Sequence, residues 1–334
     1  MAKKLTVLFI TLDTSRIVYR SSFYLTQELA KISNLILWHE PGDISEILSE
    51  INDVPDFILL NDMKESPEVT GWTAISIPFG MIIYDLHYAI NERKEFIREN
   101  NVPYIFSIYR DKFYEWYPEF KERLKWFPLH VNTNIFKDYN LEKEIDWLFM
   151  GAVEGWVYPL REKIVHTMYG HEGFVYHEHP GYRDIFEEKE KNVFVGERYA
   201  KEINRAKMFF TCDSIYKYPV NKYYEVTACK TLLLASSSKE LSDLGFIPGV
   251  NYVEIDENNF IEKAYYYLNH PEERMKITEE GYKMVREKHS TAQRAMGLKT
   301  MINEIVSERQ SLIKGSKWSI KNILMRSVRF FRKK

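Results

Sequence analysis

Two rhythms of apolar and polar positions alternate along this chain. Short apolar runs, LTVLFIT (5–11), NLILW (34–38), DFILL (56–60), TAISI (73–77), MIIYD (81–85) and PYIFSI (103–108), read as strands. Between them, apolar residues recur at helical spacing over 21–32, 44–51 and 88–100. Strand and helix in strict alternation predict a parallel sheet covered by helices. The segment KWFPLHVNTNIFKDY (125–139), rich in turn formers around Pro128, reads as a connection between domains. A second alternation follows: IDWLFMG (145–151), a helix from Pro159, FVYH (174–177), NVFVG (192–196), a helix near 199–206, KMFFT (207–211), TLLLAS (231–236) and NYVEI (251–255). Pro159 suits a first helical turn. From Asn258 to about Arg309 the pattern is helical.

The fold class expected is therefore α/β, with two Rossmann-like doubly wound domains facing a cleft. They span residues 1–135 and 136–290; a C-terminal helix over 291–313 crosses back to the first domain, and 314–334 form a basic amphipathic tail. In such sheets ligands bind beyond the carboxyl ends of the strands, so two facing edges suit a two-substrate enzyme.

Composition narrows the setting. The chain has 334 residues, 45% of them hydrophobic, enough for two cores. Aromatics reach 15%, mostly core, with some free to stack on sugars or bases. Two cysteines, Cys212 and Cys229, make neither a disulfide framework nor a metal spacing and favour a reducing compartment. The opening MAKKLTVLFITLD meets Asp13 too soon for a signal peptide, and no apolar stretch reaches membrane-spanning length. Residues 314–334 hold eight of the 46 basic side chains and no acid, so the remaining 38 face 48 acidic ones. An acidic body excludes nucleic acid as a partner and leaves one localised anionic partner for the tail.

The candidate chemistry starts in YPVNKYYEVTACKTLLLA (218–235), where Glu225 interrupts an aromatic and apolar run. A carboxylate beside a core needs a partner or solvent. Lys222 lies three positions earlier, on the same helical face, and a helix start adds its dipole for an anion. Gly151 opens the strand-to-helix loop AVEGW, where backbone N–H groups can approach phosphate, with Arg161 just beyond. Asp85 and His87 in MIIYDLHYAI stand at a strand end, the ligand edge of such a sheet; they are candidates to handle a proton or touch a ligand there, or to cap and pack the next helix. Asp13 in TLDTSR is a further base candidate or a turn residue. His171, His177 and His179 share GHEGFVYHEHPG, but no carboxylate or cysteine set completes a metal site, so they are expected to line the cleft. Phe113, Trp116, Tyr117 and Phe120 in FYEWYPEF fall on one helical face and read as core.

FPLHVNTNIFK, IDWLFMGAVEGWVYPLR, KYYEVTACKTLLLAS and LNHPEERMKITEEGYKMVREKHS occur in that order. Together they resemble the GT-B glycosyltransferases of the group 1 type, near family 4 and the spore-maturation glycosyltransferases. The resemblance covers residues 125–300 well and the first half in outline. It implies a donor site in the second domain for a nucleotide-diphospho-sugar, UDP-linked, and an acceptor hydroxyl of a surface glycan, lipid-linked precursor or protein at the first. Glu225 would accept hydrogen bonds from ribose hydroxyls, Lys222 and Arg161 would meet the diphosphate, and Gly196 and Glu197 would hold the base through main-chain atoms. Tyr218, Asn221 and Tyr223 complete the implied donor set. No Asp-x-Asp is present, which fits an enzyme without metal or other cofactor. Two positions depart from the family pattern: Lys217 stands where a second glutamate is usual, and Lys230 where a glycine is. These leave sugar selection open, with a nucleotide-sugar 2-epimerase of the same fold, or a catalytically silent glycan-binding or structural relative, as the alternatives.

In the tail, Ile320, Ile323, Leu324, Val328 and Phe331 keep helical spacing among Lys317, Trp318, Lys321, Arg326, Arg329 and Arg332. That pattern suits a helix lying on anionic lipid, or a solubilising tail. The chain is expected in the cytoplasm, at the inner face of a membrane.

Overall fold

The computed structural model describes residues 4–331, with side chains through Leu312. The tail side chains named above therefore lie outside the described residues. In the first domain the order is β1 (Thr6–Ile10), α1 (Ser21–Ile32), β2 (Asn34–Trp38), β3 (Gly42–Asp43), α2 (Ile44–Glu50), β4 (Phe57–Leu60), β5 (Val69–Thr70), β6 (Phe79–Ile83), α3 (Ile90–Glu99), β7 (Tyr104–Ser107), α4 (Asp111–Trp116) and β8 (Leu124–Trp126). Six strands pair in parallel in the order β2-β1-β4-β6-β7-β8, while β3 and β5 form a separate two-stranded ribbon. Strands β1, β4 and β6 are buried throughout, which is why they read as unbroken apolar runs rather than alternating ones.

The second domain holds β9 (Ile145–Met150), α5 (Pro159–Met168), β10 (Phe174–His177), α6 (Gly196–Asn204), β11 (Ala206–Phe210), α7 (Asn221–Ala228), β12 (Leu232–Ala235), α8 (Lys239–Asp243), β13 (Val253–Glu254), α9 (Phe260–Asn269) and α10 (Pro271–Lys288). Its five strands are parallel in the order β10-β9-β11-β12-β13. Strand order reverses between β1 and β4 in one sheet and between β9 and β11 in the other. Crevices open at those points, beyond the strands' carboxyl ends.

The connection and the return crossing meet side by side, with Val131 bridged to Ser290 and His130 Nδ1 3.0 Å from the Thr291 hydroxyl. The last helix, α11 (Thr291–Phe331), then packs on α1, and the Arg309 guanidinium donates to the Ser76 carbonyl. No helix among the described residues is long and apolar enough to cross a membrane.

Three local expectations need correction. TAISI is not a strand; a 3₁₀ turn over Trp72–Ala74 buries Trp72, and the strand begins at Phe79. NVFVG is not a strand either: Val195 precedes α6, and Phe194 packs on the His177 ring at 4.3 Å. FYEWYPEF does not continue as one helix, because the residue before Pro118 is pushed out of helical geometry. Phe113, Tyr117 and Phe120 are core, whereas Trp116 sits edge-on to Tyr216 of the second domain at 5.3 Å.

Candidate functional site

The carboxyl ends of the two sheets meet across one cleft of about 660 Å³. On the second-domain side Gly151 ends β9 with φ 143°, a conformation other residues rarely adopt. A Cβ there would lie 2.7 Å from Lys222 Cε, so the missing side chain is the space in which Lys222 lies. Gly151→Ala is expected to cost about 1–3 kcal/mol of folding stability, read by urea denaturation. An unchanged midpoint would show that Lys222 has another berth.

Lys222 sits in the first turn of α7. Burial, reinforced by Arg161 and opposed by Glu225, pushes its ammonium down to about 8. Arg161, buried on α5, lies 3.7 Å over the Tyr158 ring and donates to the carbonyls of Cys212 at 2.8 Å and Ala152 at 3.4 Å. It thereby ties together the loops that follow β9 and β11. Glu225, one turn after Lys222, is half-buried; burial raises its pKa, while Lys222 and the Tyr199 hydroxyl hold it down. Two cationic side chains and a carboxylate thus share one wall of the cleft.

Gly196, Tyr218 and Asn221 also line the cleft. The Tyr218 hydroxyl and Asn221 Oδ1 are buried without a hydrogen-bond partner among the described residues. Each such group costs about 1–3 kcal/mol left unpaired, so this wall is built for a polar ligand. His179 contributes a neutral donor. Burial, with Lys222 and Arg161 nearby, holds it down to about 4, and its Nδ1 accepts the Gly181 N–H at 3.1 Å, which leaves the hydrogen on Nε2.

Three candidates fall outside the cleft. Asp13 is exposed, and its carboxylate accepts the Ser15 N–H at 2.9 Å, which is turn chemistry. Glu197 points outward from α6 to Lys201 at 2.6 Å. Tyr223 is buried, its hydroxyl donating to the Ser236 carbonyl at 2.6 Å. Nor do the three histidines converge: His171 bonds the Tyr265 hydroxyl and His177 bonds Glu202, leaving only His179 in the cleft. Among the described residues no three metal-ligating side chains gather. Lys217 takes a left-handed backbone, φ 61°, and points away, 3.9 Å from Asp213, so its neighbours Tyr216 and Tyr218 form the wall.

Asp85 and His87 line the first-domain side on the loop after β6. The His87 ring stacks on Tyr216 at 4.6 Å, and Tyr109 stacks on Tyr218 at 3.9 Å with planes 9° apart, so aromatic pairs bridge the cleft. Further out, Arg20 pairs with Glu187 at 2.5 Å and the Ile185 N–H donates to the Arg16 carbonyl at 2.8 Å. At the opposite end Glu240 of α8 accepts the N–H groups of Arg110 and Asp111 at 2.9 and 3.0 Å, capping α4 from the other domain.

Several cleft residues escaped the sequence reading, among them a carboxylate on the first-domain side. Glu65 follows β4 in NDMKES and lines the first-domain wall. Burial, with Asp62 and Asp85 adding to it against bonds from Ser22 and Asn61, pushes it up to about 7. Its only sequence signal was a carboxylate just past the carboxyl end of an all-apolar run.

Residues 154–300 match the glycosyl transferase-like family. No curated protein matches the chain by sequence. Among solved structures, sucrose-phosphate synthase from Thermosynechococcus elongatus aligns over 91% of this chain and 100% of its own, with 12% identity and a TM-score of 0.65. Anabaena HepE in complex with UDP and glucose aligns over 90% of this chain and 100% of its own, with 8% identity and a TM-score of 0.60. A glycosyltransferase from Rickettsia africae aligns over 91% and 99%, with 12% identity and a TM-score of 0.58. The two-domain fold is that of the GT-B glycosyltransferases.

Proposed function

We infer that this chain, a glycosyltransferase of the GT-B type, moves a sugar from a UDP-linked donor held by the second domain to an acceptor hydroxyl held by the first. The observation that carries the reading is the pairing of Lys222 and Glu225 at the start of α7, with Lys222 laid over Gly151. The ammonium, the Arg161 guanidinium and the helix start form a pocket for a diphosphate. The carboxylate can accept bonds from two vicinal ribose hydroxyls, since an ionised carboxylate only accepts. The complex of the similar HepE with UDP supports a uridine donor. Positive charge from Lys222 and Arg161 substitutes for a divalent cation at the leaving diphosphate. Asp85 and His87 contact the acceptor or the transferred sugar. The acceptor is a surface glycan, a lipid-linked precursor or a protein, and the basic tail would hold the enzyme at the membrane that carries it.

Titration calorimetry with UDP tests the reading. UDP should bind in preference to GDP and ADP, and its affinity should fall as pH rises past about 8, because Lys222 loses its charge there. Absence of binding by any of the three nucleotides sinks the proposal. With UDP-glucose, released UDP marks a transferase and interconversion of the sugar an epimerase; binding without turnover marks a silent module.

A further inference from the structure

We propose that Glu65 takes the proton from the attacking acceptor hydroxyl. This rests on the transferase reading above and deepens it on the acceptor side. Glu65 stands beside the crevice between β1 and β4, and its backbone is fixed there. Its carbonyl accepts the Leu12 N–H at 2.7 Å and the Thr11 hydroxyl at 3.2 Å, and its own N–H donates to the Asp62 carbonyl at 2.7 Å.

The carboxylate is polarised by its partners. Oε2 accepts from the Ser22 hydroxyl at 2.6 Å and from Asn61 Nδ2 at 3.1 Å. Ser22 has one hydrogen, now committed, so the Tyr84 hydroxyl 2.9 Å away donates to Ser22 and completes a relay ending on Glu65. Among the described residues Oε1 takes no hydrogen bond, and the residue lines the cleft.

The groups around it keep the carboxylate reluctant to ionise. Asp62 and Asp85 add negative charge from the β4 and β6 loops. The Arg93 guanidinium on α3 is committed to Asp62, with both carboxylate oxygens at 3.0 Å, and Lys64 lies over the Tyr88 ring at 3.1 Å. The buried Tyr19 hydroxyl, which also lines the cleft, is pushed up by burial and by the negative charge of Glu65, Asp85 and Glu225. A carboxylate raised to about 7 can both take and release a proton at neutral pH. The other first-domain candidates fit less well. Asp85 is exposed, and the His87 ring is engaged by Tyr216.

In the step itself the acceptor oxygen bonds to the anomeric carbon as its proton passes to Glu65 Oε1. The bond from that carbon to the phosphate oxygen breaks, and its electron pair leaves with the nucleoside diphosphate toward Lys222 and Arg161. Glu65 then returns the proton to solvent.

The test uses the full chain and Glu65→Gln with UDP-glucose, water serving as acceptor, and follows UDP release and UDP affinity. Glu65→Gln should bind UDP within about twofold of the parent yet turn over roughly 10²–10⁴-fold more slowly. The parent's kcat/KM should fall as pH drops through about 7, where Glu65 becomes protonated, and the residual activity of the variant should lack that limb. Turnover by Glu65→Gln within about threefold of the parent, or an acid limb it shares with the parent, overturns the assignment but not the donor site. A parent chain that neither binds UDP nor releases it overturns both. Should Glu65→Gln fail to fold, the parent's pH profile and Glu65→Asp decide. No acid limb near 7 in the parent, or full activity with an unmoved limb in Glu65→Asp, refutes the role.

Discussion

Replacing Glu225 by alanine is expected to leave the protein folded and to weaken UDP binding roughly 10²- to 10⁴-fold, as read by titration calorimetry. Stability should hardly move, because the group is raised by burial and its charged form is not what the fold favours. What the variant loses is two hydrogen bonds to a charged acceptor, each worth about 1.5–3 kcal/mol. Removing the carboxylate also strips Lys222 of the one neighbour that supports its charge, so the diphosphate loses part of its counter-ion as well. The assignment of ribose to Glu225 is checked with 2′-deoxy-UDP, for which the penalty of the substitution should shrink. Equal UDP affinity in parent and variant would place the nucleotide elsewhere.

The second large effect is expected far from the nucleotide. Asp62 and Arg93 form a nearly water-free pair under the acceptor wall, with relative side-chain exposures of 3% and 1%. Asp62 also accepts the Tyr84 N–H at 2.9 Å, and Arg93 donates to the Asp85 carbonyl at 2.6 Å, so the pair joins the β4 and β6 loops. Arg93→Met leaves Asp62 charged and buried with little to compensate it, at an expected cost of about 3–5 kcal/mol in urea denaturation. Asp62→Asn added to Arg93→Met should recover much of that loss, since it removes the stranded charge while an amide oxygen can still take the Tyr84 N–H. A single variant as stable as the parent would mean that water reaches the pair.

The sheets were legible because their central strands are buried on both faces and therefore write themselves as apolar runs; β1, β4, β6 and β12 all do so. VFV at 193–195 has the same composition but packs singly, Phe194 on His177 and Val195 under α6, and hydrophobicity alone cannot distinguish these cases. Lys222 and Glu225 could be placed because their relation is local, one turn of one helix. Glu65 could not. Its character comes from Ser22 on α1, from Asn61 and Asp62 beside it, and from Asp85 on the next strand's loop, a setting that exists only once the sheet is assembled. Glu197 and Tyr223 erred in the opposite way, being neighbours in sequence of cleft residues but turned outward or inward by the helix that carries them.

Glu240 gives the cleft a kinetic character. Its carboxylate is the cap of a helix in the other domain, so parting the domains must uncap α4 and, through Trp116, release the Tyr216 face at the same moment. Any parting of the two domains therefore breaks the helix cap and the aromatic contact together, at a place remote from Lys222 and Glu225.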